Sequence, residues 1–111
     1  MWKVSFYHDA RGRSPVIEYL DGLVARDRAR VARYLELLRE FGPRLAMPHA
    51  RHLDGDLWEL RPGAHRVIYA AVACERVVLL HAFRKKSRKT PRREIERARH
   101  CLADLEARGG Y

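Results

Sequence analysis

The first forty residues show one strand-like and two helix-like patterns of apolar positions. Apolar residues recur at every second position from Trp2 to Phe6, and this period of two predicts a strand over residues 2–8. Residues 9–13 read as a turn. Ser14-Pro15 then predicts a helix start, since serine caps a first turn and proline fits the first helical position. Its apolar face is expected to hold Val16, Tyr19, Leu20, Leu23 and Val24.

A second helix is predicted from about Arg26 to Phe41, because apolar residues again recur at helical spacing. Its inward positions are Val31, Tyr34, Leu35, Leu38 and Phe41, and its arginines point mostly outward. Gly42-Pro43 predicts the helix end, since a C-cap glycine is followed by a helix breaker. The two helices predict an αα-hairpin that crosses one face of a sheet.

The second half of the chain is rich in strand patterns. After a predicted loop over residues 44–55, three strands are expected at 56–61, 66–73 and 76–83, with short turns at Pro62-Gly63 and Cys74-Glu75. Residues 77–80 are continuously apolar, which is typical of a central strand covered on both faces. Thr90-Pro91 opens a last helix whose apolar stripe is followed by Gly109-Gly110. That stripe holds Ile95, Ala98, Leu102 and Leu105.

The predicted order is therefore β-α-α-β-β-β-α, an α+β fold. We expect a single domain over residues 1–111, with a small antiparallel sheet of about four strands, an N-terminal helical hairpin and a C-terminal helix. No apolar run approaches the ~20 residues that span a bilayer, and the N-terminus does not resemble a signal peptide, so we expect a cytoplasmic protein. Cys74 and Cys101 lack metal-site spacing and are expected to be reduced, in or near the core.

Positive charge is concentrated in one stretch. The chain has a formal net charge of +9, and residues 84–99 hold nine Lys or Arg and two acids, a local charge of +7. The possible partners are phosphate backbones, anionic membranes and acidic proteins. A membrane partner is the weakest of these, because the basic run lacks apolar residues that could enter a bilayer interface.

Consecutive antiparallel strands would bring cations from three strands together. The end of one strand, the start of the next and the end of the third share one end of such a sheet, which gathers Arg61, Arg66 and residues 84–86. No acid is expected beside them, so self-repulsion favours a bound phosphate or nucleic acid. A merely solvated basic face remains the alternative.

Candidates for proton transfer are few. His81 lies in an apolar strand and reads equally well as a core histidine, while His65 lies in a turn and is either a solvent residue or a proton carrier. His49 and His52 lack a third ligand, so we expect no metal and no other cofactor. Trp58 and Tyr69 are aromatic residues that either stack on bases or pack in the core, and Trp58 is expected in the core.

Two segments resemble a known family. LWELRPGAHRVIYA at residues 57–70 and VVLLHAFRKKSRKTPRREIERA at residues 77–98, after a two-helix N-terminal half, resemble the RelE/ParE superfamily of toxins and its phage-derived, HigB-like branch. The similarity is loose before residue 50 and specific over residues 58–98. It implies a compact α/β fold, ribosome-dependent mRNA cleavage in the A site, and neutralisation by a cognate antitoxin, commonly a helix-turn-helix protein.

The resemblance also implies roles for residues. Arg66 and the pair Lys85 and Lys86 would stabilise the transition-state phosphate, with lysines in acid–base roles; Arg61 and Tyr69 match family positions too. The chain lacks the C-terminal Asp-Tyr-His cluster of some HigB toxins, which leaves the general acid and base open.

We therefore predict two sets of residues on a metal-independent mRNA endonuclease. The predicted catalytic set is Arg61, Arg66, Arg84, Lys85 and Lys86. The predicted RNA-binding set is Tyr69, Arg88, Lys89, Arg92 and Arg93, with Arg97 and Arg99 steering RNA or meeting an acidic antitoxin. The alternatives are a ParE-like or inactive member that binds without cleaving RNA, and a small basic RNA- or ribosome-binding domain.

Overall fold

The computed structural model describes residues 1–109 and has a five-stranded sheet between two helical layers. In chain order, the elements are β1 (Lys3–Phe6), α1 (Pro15–Asp21), α2 (Ala25–Phe41), a 3-10 turn (Gly42–Arg44), β2 (Ala50–Asp54), β3 (Leu57–Leu60), β4 (His65–Val72), β5 (Arg76–Arg84) and α3 (Arg92–Ala107). The strands lie in the order β1-β5-β4-β3-β2. The α+β class, the helical hairpin, the meander of β3 to β5 and the last helix are as predicted.

The strand count was predicted wrongly. Residues 44–55 were expected to form a loop, but Ala50–Asp54 pairs antiparallel with β3 through the turn at Gly55, giving β-α-α-β-β-β-β-α. This edge strand is short and half polar, so it carries little of the apolar alternation by which strands are recognised. The sheet is also mixed, because β1 pairs parallel with β5.

Helix α1 begins and helix α2 ends where the sequence indicates, whereas α3 begins at Arg92 with Pro91 as its N-cap, so Thr90 does not cap it as predicted. The Ser14 hydroxyl accepts a hydrogen bond from the Ile17 amide at 3.2 Å, which satisfies one of the free amides of the first turn of α1. Gly42 ends α2 at a positive φ of 54°, and a Cβ there would lie 2.5 Å from Nε1 of Trp2. Glycine is therefore required both by the turn and by the packing of the indole.

Two apolar layers hold the sheet between the helices. On one face, Val16 of α1 and Val31 and Leu38 of α2 pack on β4 and β5 residues such as Val67 and Leu79. On the other face, α3 packs through Ala98, Cys101, Leu102 and Leu105 on residues that include Ile68 and Leu80. β5 is thus covered on both faces, as its continuous apolar run predicts.

Several predicted core positions are exposed. Val24 is 64% exposed because it lies between the helices as the N-cap of α2, and Phe41 is exposed at the helix end. Cys74 is exposed because it forms the β4–β5 turn with Glu75, both at positive φ, whereas Cys101 is buried as expected. α3 ends at Ala107 with Gly109 at a positive φ of 62°, and the predicted Gly110 lies outside the described residues.

Candidate nucleic-acid interface

The three central strands bring their basic ends together. Leu60 pairs with Val67 and His65 pairs with Arg84, so Arg61, Arg66 and Arg84 lie at one end of the sheet. The Lys85 amide extends this pairing by donating to the Ala64 carbonyl at 2.8 Å. Consecutive strand order is therefore sufficient to gather the predicted cations.

A buried glutamate lies among these cations, contrary to the expectation that no acid is present. Glu59 of β3 is 0% exposed, and its Oε2 lies 3.2 Å from Nη2 of Arg51, 3.5 Å from Nη1 of Arg61 and 3.9 Å from Nε of Arg66. Thr90, just before α3, donates its hydroxyl to Oε1. We call these five residues the Glu59 cluster; the carboxylate compensates cations that would otherwise repel one another.

Arg61 and Arg66 point into the protein. Arg66 is 6% exposed and donates from Nη1 to the carbonyls of Gly63 and His65, both at 2.8 Å. Burial, and then the neighbouring Arg61, lower the pKa of Arg66. Nη1 of Arg61 is also buried and makes no hydrogen bond within residues 1–109. Both arginines are thus held largely by the fold.

The cations at the end of β5 differ from Arg61 and Arg66 in their exposure to solvent. Arg84 ends β5 and Lys85 and Lys86 continue the chain, and all three side chains are exposed. We call them the strand-end cations. Neither lysine side chain forms a hydrogen bond or ion pair with any residue in the described part of the chain. They are free to meet an anion from outside.

The predicted RNA-binding cations continue this exposed surface. Arg88 and Lys89 lie in the loop before α3, and Arg92 and Arg93 begin the helix. Arg92 lies 3.7 Å from Glu96, both well exposed, where an ion pair contributes little, and Arg93 lies 4.0 Å from the less exposed Glu94. Further along, Arg99 bonds Asp54 at 2.7 Å and is less available.

Tyr69 does not join this surface. Its ring is 2% exposed in the layer under α1 and α2, so it cannot stack on a base in this structure. Its hydroxyl has no hydrogen-bond partner within residues 1–109, and burial raises the pKa of Tyr69. Trp58 is half-buried in the same layer, consistent with a packing role.

His65 is not the turn residue that was expected. It begins β4 with 3% exposure, and its Nδ1 lies 2.7 Å from the Tyr19 hydroxyl while its Nε2 lies 3.0 Å from Oδ2 of Asp27. The hydrogen bond from His65 lowers the pKa of Asp27, and burial raises the pKa of Tyr19. The three side chains, from α1, α2 and β4, form a connected hydrogen-bond chain.

The other histidines have local partners. His81 bonds Glu94 at 2.7 Å and stacks on Phe83 beside a cleft of about 760 Å³ between α1 and α3. His49 packs against Tyr34, whereas His52 contacts Trp58 and the Gly55 carbonyl.

Among the described residues, no three His, Cys, Asp or Glu side chains are grouped as a metal site would require. None of the helices described here combines the length and apolar content needed to cross a bilayer.

Sequence reasoning missed Glu59, Tyr19 and Asp27. Glu59 was detectable, because it lies in a short strand between the apolar residues Trp58 and Leu60, where both faces are covered and a charge needs partners. Tyr19 looked like an ordinary apolar-face residue. Asp27 gives no signal, since its partner is 38 positions away.

Comparison with known proteins identifies related families and folds. A family model described as "Phage derived protein Gp49-like (DUF891)" matches residues 18–103. No curated protein sequence matches the chain. The isolated RelE toxin of E. coli is similar in structure, with a TM-score of 0.50 and 16% identity over 87% of this chain and 98% of that one. A double mutant of E. coli RelE in the free state gives a TM-score of 0.47 and 17% identity over 96% of each chain. The fold is RelE-like.

Proposed function

The chain belongs to the phage-derived Gp49-like family, and from that premise we propose that it is the toxin of a type II toxin–antitoxin pair. In this proposal it is an endoribonuclease that cleaves mRNA on the ribosome. Its partners are the ribosome, the mRNA and a cognate antitoxin, for which a helix-turn-helix protein is the expected type.

One observation carries the proposal. Arg84, Lys85 and Lys86 are exposed at the end of β5, and the two lysines have no anionic partner within residues 1–109. Three adjacent exposed cations, of which the two lysines have no acidic partner within residues 1–109, attract a phosphate backbone, and the loop and helix cations extend the surface along a strand of RNA. The Glu59 cluster lies behind them and holds the sheet end in place.

The chemistry follows from where charge develops. When the 2′-hydroxyl of a ribose attacks the adjacent phosphate, negative charge accumulates on the phosphoryl oxygens. Positioned Lys and Arg side chains stabilise that charge and require no metal for this task. In the proposed site, the strand-end cations contact the phosphate, while Arg61 and Arg66 contribute their positive charge from behind.

Primer extension tests this proposal. Expression of the wild-type chain is expected to produce mRNA cuts between A-site nucleotides, and Lys85→Ala/Lys86→Ala is expected to reduce them about 10²-fold, because transition-state charge stabilisation is lost. The matched control is Lys3→Ala/Arg76→Ala, which removes two neighbouring cations at the opposite end of the sheet. The control is expected to cut like the wild type.

A second function has its own support. Because Glu59 already engages Arg61 and Arg66, two of the five predicted catalytic cations are not free, which suits a basic module that binds RNA or protein without cleaving it. The same experiment separates the two functions. Growth arrest with intact mRNA would exclude the endonuclease and leave the binding module.

A further inference from the structure

The hydrogen-bond chain of Tyr19, His65 and Asp27 has a defined direction. A carboxylate only accepts hydrogen bonds, so Nε2 of His65, 3.0 Å from Asp27, carries the proton. In the neutral ring, Nδ1 is then unprotonated and accepts the Tyr19 hydroxyl proton at 2.7 Å. The order hydroxyl, imidazole, carboxylate is the one in which a histidine serves as a base for a hydroxyl.

This hydrogen-bond chain of Tyr19, His65 and Asp27, which we call the relay, ends at a cleft. His65 is buried, while Asp27 is about one-third exposed and helix α2 fixes its position. Tyr19 is half-buried and forms part of the wall of the cleft of about 760 Å³ between α1 and α3. A group entering this cleft can therefore contact Tyr19, while the imidazole stays out of bulk water.

The relay adjoins the strand-end cations. His65 pairs directly with Arg84 across β4 and β5, and the charge of Arg84 acts on both Tyr19 and Asp27. A phosphate held by Arg84 and Lys85 would consequently lie at the same end of the sheet as the Tyr19 hydroxyl. The charge of Arg84 acts against the burial that raises the pKa of Tyr19.

We propose that Tyr19 is the general base of the reaction and that His65 and Asp27 are the positioning residues that carry its proton away. This inference rests on the proposed function. As the 2′-O–H bond breaks, its proton passes to the Tyr19 oxygen, and the Tyr19 proton passes to Nδ1 of His65. The 2′-oxygen bonds to phosphorus and the bond to the 5′-oxygen breaks. The products are a 2′,3′-cyclic phosphate and a 5′-hydroxyl, which takes its proton from solvent. His65 later returns its extra proton to solvent.

The relay makes the rate depend on the protonation of His65. The ring contacts the Tyr19 hydroxyl on α1 and the Asp27 carboxylate on α2. The charges of Arg26 on α2 and Arg84 on β5 act on Asp27, and Arg66 on β4 bonds the backbone carbonyl of His65. A ring protonated at both nitrogens cannot accept the Tyr19 proton, so cleavage is expected to be slower in acid.

Single-turnover cleavage of mRNA in the A site of purified ribosomes tests the relay, with rates measured from about pH 5.5 to about pH 8.5. Tyr19→Phe is expected to slow cleavage about 10²-fold and to remove the rise with pH, with ribosome affinity unchanged. Asp27→Asn is expected to slow cleavage, because an amide can donate to Nε2 and so leaves the ring proton on Nδ1, where it blocks transfer from Tyr19. Tyr34→Phe is the matched control, since Tyr34 is also a half-buried helical tyrosine.

The outcomes are separable. Cleavage by Tyr19→Phe at the wild-type rate and with the wild-type pH profile would overturn the relay and leave the proposed function standing. A wild-type chain that does not cleave ribosome-bound mRNA would overturn both. Circular dichroism checks folding, and if Tyr19→Phe fails to fold, cleavage by Asp27→Asn at the wild-type rate overturns the relay.

Discussion

The Glu59 cluster and the strand-end cations lie at the same end of the sheet but differ in compensation. In the first, Arg51, Arg61 and Arg66 share a carboxylate that is 0% exposed. In the second, Arg84, Lys85 and Lys86 are exposed, and the lysines have no acid within residues 1–109. The two groups of cations therefore have different expected roles. The arginines of the Glu59 cluster stabilise the fold, and the strand-end cations are available to bind an anion.

This difference divides the predicted catalytic residues, which strand order had placed in one group, into a pair that points into the protein and an exposed set. A buried ion pair contributes little net stability compared with apolar packing, but removing one partner leaves a costly buried charge. An exposed, uncompensated cation costs little and is available to a ligand. Mutating the two regions should consequently affect different measurements.

The largest effect is expected at Glu59. Glu59→Ala leaves Arg61 and Arg66 without their carboxylate and should lower the free energy of unfolding by about 3–5 kcal/mol, measured by urea denaturation. The control is Glu36→Ala, which breaks the exposed pair with Arg39 and should cost less than about 0.5 kcal/mol. Equal losses in the two variants would show that Glu59 does not organise the cluster.

A different result is expected at the strand end. Lys85→Ala/Lys86→Ala should change the free energy of unfolding by less than about 0.5 kcal/mol, since neither side chain has a partner among the described residues. Its affinity for single-stranded RNA should depend less steeply on salt, with the slope of log K against log salt smaller by about 1.4. An unchanged slope would mean that the two lysines do not contact phosphate.

Tyr69 was predicted to bind RNA, but the structure buries it. Tyr69→Phe removes a buried hydroxyl that lacks a partner within residues 1–109, so stability should stay the same or rise by about 1 kcal/mol, and RNA affinity should not change. Tyr7→Phe is the matched control, because the Tyr7 hydroxyl bonds Asp104 at 2.6 Å, and this variant should be destabilised. Weaker RNA binding by Tyr69→Phe would contradict the buried position.

The smallest effect concerns acid stability beside the strand-end cations. The hydrogen bond from His65 holds the pKa of Asp27 below its ordinary value of 3.8. This contribution to stability is present above pH 3.8 and is lost as the pH falls through the lower folded-state value. The stability difference between the wild type and Asp27→Asn, measured by urea denaturation, should therefore disappear in acid. A difference that persists there would assign it to another cause.

Much of the fold could be predicted because its signals are local. Ser14-Pro15 and Gly42-Pro43 mark helix boundaries, and residues 77–80 indicate a strand with two covered faces. β2 was missed because an edge strand with one covered face needs few apolar residues. Val24 was placed wrongly because helical spacing continued past the last turn of α1.

The candidate site, like the fold, could be predicted only in part. The gathering of Arg61, Arg66 and Arg84 follows from strand order, which the turns at Pro62-Gly63 and Cys74-Glu75 indicate. Their burial and their partners do not follow from strand order, because His65 reaches Tyr19 and Asp27 across 46 and 38 positions. Spacing along the chain carries no information about such contacts.

The sequence by itself thus determined the three helices, four of the five strands and the end of the sheet at which positive charge collects. Only the tertiary structure decided which of those charges are compensated, because the energy of a charge depends on every group around it and on its exposure to water. Glu59 offsets part of the charge of Arg51, Arg61 and Arg66 and is bonded by Thr90, while the strand-end cations remain exposed.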